Sequence, residues 1–148
     1  MIPASPDDFD HLIYEIGRAT AAAAAVEDYF GQLAIHATGE RKWGGAYLRL
    51  LEEPLERGLN GWNNEAQVMK LFRRARQLNS TRNDVVHSAW TSFPLSGDRY
   101  VGFRLQKSMP GQVVGVIKSA QQVKELADEL LDIHAAAREL IPMPLPGD

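Results

Sequence analysis

The sequence predicts a mainly α protein, a helical bundle of about four helices with a small β insertion before the last one. Three observations carry this expectation. Apolar residues recur at helical spacing along most of the chain, the pattern turns to strand-like alternation between residues 89 and 118, and a capping signature at Ser119 reopens a helical stripe. At 148 residues, 45% of them hydrophobic, the chain is long enough for one core and short for two, so a single domain over 1–148 is expected. Residues 1–5 and 142–148 are expected to be flexible tails, the latter because Pro142, Pro144 and Pro146 end the last helix.

The first helix opens at Ser5-Pro6, an N-cap followed by proline at the first helical position, with Asp7 and Asp8 at the positive end of the dipole. Phe9, Leu12, Ile13, Ile16, Thr20, Ala23, Val26, Phe30 and Leu33 recur at helical spacing, and the helix should end near Gly39. A shorter helix is expected from Ala46 to about Arg57, with Tyr47, Leu51 and Leu55 inward and a kink or break at Pro54. Gly44-Gly45 and Asn60-Gly61 read as turns. The third helix runs from about Asn64 to His87 on a stripe of Val68, Leu71, Phe72, Ala75, Leu78, Val85 and Val86.

Ala89–Phe93 and Arg99–Lys107 then read as strands separated by the turn-rich Pro94-Leu95-Ser96-Gly97-Asp98. In the second strand Val101, Phe103 and Leu105 alternate with Tyr100, Gly102 and Arg104. Pro110-Gly111 makes a further turn, and Val113–Lys118 supplies a short third strand, so the insertion is a hairpin or a three-stranded unit. Ser119-Ala120-Gln121-Gln122 is a capping box. Val123, Leu126, Leu130, Ile133, Ala137 and Leu140 form the stripe of the last helix. Long apolar stripes on the first and last helices make a homodimer expected, against the simpler reading that both are satisfied within one chain.

Composition narrows the function classes. With no cysteine, disulfide frameworks and thiolate metal sites are excluded, and a reducing cytosol fits. Neither a signal peptide nor a membrane-spanning run is read, so the expected location is cytoplasmic. A net charge of −3 confines any RNA contact to a local patch.

The chemistry concentrates in Arg82-Asn83-Asp84-Val85-Val86-His87. On a helix Asn83 and His87 share a face, and a long arginine beside Asn83 can converge on the imidazole. A fixed cation beside a group titrating near neutrality suits metal-free RNA cleavage. There the 2′-hydroxyl loses a proton, the leaving 5′-oxygen gains one, and charge on phosphorus is stabilised. His87 serves as acid or base, Arg82 bridges phosphate oxygens, and Asn83 positions either. One histidine per chain does not easily make both transfers; two copies across a dimer interface can.

In these residues the chain resembles the HEPN superfamily, the higher eukaryotes and prokaryotes nucleotide-binding domains. These are small helical bundles, many carrying an arginine, a polar residue and then a histidine four to six residues on. Arg82, Asn83 and His87 match that pattern directly over six residues, while the helical layout agrees over most of the chain. The β segment 89–118 is an elaboration outside the minimal bundle. The resemblance implies a metal-independent endoribonuclease with a composite dimer cleft, often a toxin or antiviral-defence effector, with a possible antitoxin partner. It also admits members of the same fold that bind RNA or nucleotides, or assemble as dimers, without catalysis.

Structural readings stand beside these. Arg82 can pair with Asp84 or another carboxylate, Asn83 can satisfy backbone at the helix end, and His87 can complement the helix dipole. From Ala66 to Asn83 the chain holds Lys70, Arg73, Arg74, Arg76 and Arg82 with no acid. This is either an RNA-binding flank or a solvated face balanced by Glu125, Asp128 and Glu129. His11 reads as exposed, and His36 and His134 as packed at stripe edges. Trp43, Trp62 and Trp90 are expected mainly as anchors, with Trp90 the one near His87. No metal-ligand spacing is present, so neither metal nor cofactor is expected.

Overall fold

Proline at the first helical position and acids in the first turn start a helix that runs without interruption over α1, Pro6–Thr38. The remaining elements of this computed structural model are α2 (Glu65–Val86), β1 (Ala89–Ser96), β2 (Arg99–Leu105), β3 (Val113–Ser119) and α3 (Ala120–Leu140). The structure describes residues 6–38, 52, 65–96, 98–105 and 111–140. The helix expected over 46–57 with its Pro54 break, the turns at Gly44-Gly45 and Asn60-Gly61, Trp43, Trp62, the His36 side chain and both tails lie outside the described residues. The described chain is mainly helical, with a small three-stranded antiparallel sheet before the last helix. It divides into two compact units, Met1–Ala21 with Ser80–Asp128, and Ala22–Asn79 with Glu129–Asp148.

In the first unit the sheet is a meander in the order β1-β2-β3. β2 pairs with β3 in unbroken register from Arg99↔Ser119 to Leu105↔Val113. β1 pairs with β2 through Ala89↔Phe103 and Trp90↔Gly102, then shifts register on either side of Pro94↔Tyr100. The expected turn at 94–98 therefore begins later, because β1 continues through Pro94 to Ser96. An edge strand tolerates a residue with no N–H to donate, and the irregularity falls at that proline.

The two faces of β2 differ sharply. Tyr100 and Gly102 are buried, whereas Phe103 is exposed and Leu105 is 70% exposed. On β3, Val113, the partner of Leu105, and Ile117, the partner of Val101, are exposed as well, so the sheet turns an apolar face outward.

α3 starts on the capping box expected from sequence. The Gln122 amide donates to Ser119 Oγ at 3.1 Å, and Gln122 Oε1 accepts from the Ser119 amide at 2.9 Å.

The buried line of α1 in this unit differs from the expected stripe. It runs through Leu12, Glu15 and Ala19, leaving Ile13, Tyr14 and Thr20 exposed. Thr20 satisfies its hydroxyl within the helix, donating to the Ile16 carbonyl at 2.7 Å. Glu15, only 3% exposed, accepts from Arg18 at 2.6 Å and faces His11 Nε2 at 3.6 Å. Arg18 also donates to Asp128 at 2.7 Å, and Lys124 donates to the other Asp128 oxygen at 2.7 Å. Burying a carboxylate is tolerable only with such partners, and they fix the rotation of α1.

In the second unit, α1 contributes Ala22, Ala23, Val26, Phe30 and Leu33 as buried residues, while α2 contributes Val68, Leu71, Phe72 and Ala75. Phe30 meets Phe72 edge-on with ring centres 6.2 Å apart, and Tyr29 meets His134 in the same way at 5.7 Å. His134 is thus packed, as its place at a stripe edge implies. Leu130, Ile133 and Ala137 of α3 are buried.

Candidate functional site at the end of the second helix

α2 reaches Val86, and one further helical bond carries the turn to His87, whose amide donates to the Asn83 carbonyl at 3.0 Å. This geometry places Arg82, Asn83 and His87 together. Arg82 Nη1 donates to Asn83 Oδ1 at 2.8 Å and lies 3.4 Å from His87 Nε2. A guanidinium has donors and no acceptors, so this contact is a hydrogen bond only in the tautomer that leaves Nε2 unprotonated. The amide oxygen of Asn83 orients the guanidinium, and the guanidinium faces the imidazole. His87 is exposed, and Arg82 and Asn83 are half-buried.

The residues between arginine and histidine anchor the helix end. Asp84 accepts from Arg104 Nε of β2 at 2.8 Å, and its carbonyl accepts from Ser88 Oγ. Val85 is buried, and its carbonyl accepts from Trp90 Nε1 at 3.1 Å. Asp84 therefore pairs with Arg104, while Arg82 is directed to the amide and the imidazole. Trp90 is an anchor in this arrangement. Its ring and Ser88 both lie against Gly102, where an added Cβ would sit 3.0 Å and 2.8 Å from them.

Arg104 was not singled out among the candidate site residues. The available signal was its register: in β2 it shares a face with buried Tyr100 and Gly102.

The basic residues upstream belong to the second unit and are taken there singly. Arg74 Nη2 lies 3.9 Å from Glu129, and Arg76 is hydrogen-bonded to Glu52. Lys70 and Arg73 are exposed. Of the acids expected to balance this face, Glu129 does so; Asp128 is held by Lys124 and Arg18, which keep its carboxyl below the usual aspartate range. Among the described residues no helix is long and apolar enough to cross a membrane.

Neither a protein-family model, a curated protein nor a solved structure matches this chain.

Proposed function

We propose that the protein is a metal-independent endoribonuclease of HEPN type, acting on RNA at a composite cleft formed by two copies of the chain. The observation that carries this reading is the Arg82 guanidinium, hydrogen-bonded to Asn83 and 3.4 Å from His87 Nε2. In-line attack of a 2′-hydroxyl needs a base for that proton, an acid for the leaving 5′-oxygen and a cation on the phosphoryl oxygens. His87 of one copy takes the first role and His87 of the other the second. Arg82 leaves Nε2 to bridge phosphate when RNA enters, and Asn83 holds it in place. Asp84 adds little repulsion toward phosphate, since Arg104 neutralises it. Exposed Lys70 and Arg73 are the strongest candidates for backbone contacts along the flank; Arg74 and Arg76 must first exchange carboxylates for phosphate. Roles as a toxin or defence effector, with an antitoxin partner and a cytoplasmic setting, accompany this reading.

The test is cleavage of total cellular RNA in EDTA by the parent protein, His87→Ala and Arg82→Ala, with mass and folding checked for each. Activity in the parent alone is the expected result. If all three preparations cut RNA equally, the site assignment fails.

A second reading, a non-catalytic dimeric or RNA-binding module of the same fold, is favoured by the apolar outward face of the sheet, where Phe103, Leu105, Val113 and Ile117 are exposed. It predicts a stable dimer that retains RNA without cutting it.

A further inference from the structure

A second guanidinium, from β2, flanks the candidate site on the side away from Arg82. All the residues concerned lie in the first unit, within Ser80–Asp128. Helical geometry, with about 3.6 residues per turn, orders the side chains around the end of α2 as Asn83, His87 and Asp84. The bond from the His87 amide to the Asn83 carbonyl keeps that order through the last turn. Arg82 reaches the imidazole past Asn83, to whose Oδ1 it donates. Asp84 stands on the other side, and its Oδ1 accepts from Arg104 Nε at 2.8 Å. His87 therefore lies between two guanidinium groups, each held by a neighbouring side chain of the helix.

The bond to Asp84 occupies Nε and leaves the two terminal nitrogens of Arg104 without a hydrogen-bond partner among the described residues. These nitrogens are not sealed in. The Arg104 side chain is 27% exposed, and among the described residues the one buried side-chain nitrogen or oxygen lacking a partner is the Tyr100 hydroxyl. The free end of Arg104 is thus a planar fork of N–H donors, aimed by a carboxylate and open to solvent beside an exposed histidine. An ion pair alone explains the Nε bond. The remaining fork matches two oxygens of a phosphate.

We propose that Arg104 binds the RNA phosphate next to the one being cleaved, with Asp84 as its positioning residue. The proposal rests on the ribonuclease reading, in which Arg82 and His87 act on the scissile phosphate. Arg82 engages that group on one side of His87, and the next phosphate along the strand meets Arg104 on the other. Because Asp84 offsets the charge of Arg104, the contact works through paired hydrogen bonds rather than long-range attraction. The site accordingly favours strands that offer two successive phosphates over a dinucleotide, which offers one.

The experiment titrates the ¹⁵N-labelled full chain with a 2′-O-methyl trinucleotide and with the matching dinucleotide, neither of which can be cut for want of a 2′-hydroxyl. The parent should prefer the trinucleotide by about tenfold, the effect of hydrogen bonds to a charged group. Arg104→Gln and the double variant Asp84→Asn/Arg104→Gln should both bring the ratio close to one. The double variant leaves the net charge as it was, so its loss reports the contact rather than the field, and urea unfolding checks that each variant is folded. Arg104→Lys, which keeps a charge toward Asp84 and lacks the fork, should give an intermediate ratio. A parent without the preference, or a double variant that keeps it, would overturn the proposal. Cleavage of unmodified RNA in EDTA is scored alongside. A parent that cuts RNA but shows no preference dependent on Arg104 sinks this contact and leaves the nuclease standing, whereas an Arg104-dependent preference in a parent that cuts nothing upholds the contact and sinks the nuclease.

Discussion

Replacing Gly102 with alanine tests the junction that holds the candidate site against the sheet. A Cβ at this position meets Ser88 Cβ at 2.8 Å and two atoms of the Trp90 ring at 3.0 and 3.1 Å. Neither neighbour can easily retreat. Ser88 Cβ is bonded directly to backbone, and Trp90 is tied to the Val85 carbonyl and paired in register with Gly102 itself. Overpacking of this kind costs about 1–3 kcal/mol. Loss of the Trp90–Val85 bond, with a carbonyl left unpaired, adds about 1 kcal/mol. Against this, alanine restricts the unfolded chain and returns about 0.4–1 kcal/mol. Gly102 does not adopt positive φ, so no backbone strain enters. The net loss is about 2 kcal/mol, or roughly 4–8 °C in Tm for a domain of this size. Thermal unfolding followed by circular dichroism measures it. Adding Ser88→Gly removes the nearest obstruction and should restore part of the loss. A Tm within about 1 °C of the parent, or no recovery in the double variant, would refute the steric argument.

Three further outcomes follow from the same geometry. Arg104→Ala strips Asp84 of its half-buried partner and should cost about 1 kcal/mol in urea unfolding; an unchanged midpoint would show the pair to be energetically silent. Ser119→Ala removes the cap of α3 and should cost about 1 kcal/mol, with Gln122→Ala costing less when both are added than when made alone, since the two bonds are reciprocal. Asp128 is held below its ordinary value by Lys124 and then Arg18, so its ionised form is favoured in the folded chain. Its contribution is complete above the unfolded aspartate value near 3.8 and disappears as pH falls through the lower folded value. Denaturation at pH 7 and pH 3 should show the parent's advantage over Asp128→Asn shrinking at pH 3; an advantage that grows on acidification would reverse the sign of that coupling.

What could be read from sequence divides by the range of the interactions concerned. The start of α3 was legible because both capping partners lie within four residues, and the stripe of α2 because Val68, Leu71, Phe72, Ala75 and Val85 obey one local period. The approach of Arg82 to Asn83 and His87 was legible for the same reason, as it takes place within one and a half turns. The rotation of α1 was not, since it is fixed by Arg18 reaching Asp128, 110 residues away. Apolar Ile13 reads as core and charged Glu15 as surface until that ion cluster is seen. β2 misleads similarly: its larger apolar side chains, Phe103 and Leu105, face outward, whereas a glycine and a tyrosine occupy the packed side. Alternation identifies a strand without saying which face is covered. The partner of Asp84 was hidden for want of a local rule, because Arg104 comes from a strand 20 residues later.

The way α2 ends has a consequence for the opening motions of the chain. Its final carbonyls, which a free helix end would leave to water, accept from the amide of His87, the hydroxyl of Ser88 and the indole of Trp90. Ser88 and Trp90 belong to the segment that enters the sheet, so fraying the last turn of the helix also unzips the first pairs of β1. Helix end and strand start thus form one cooperative unit, and the amides of His87, Trp90 and Gly102 should exchange with solvent at a shared opening free energy.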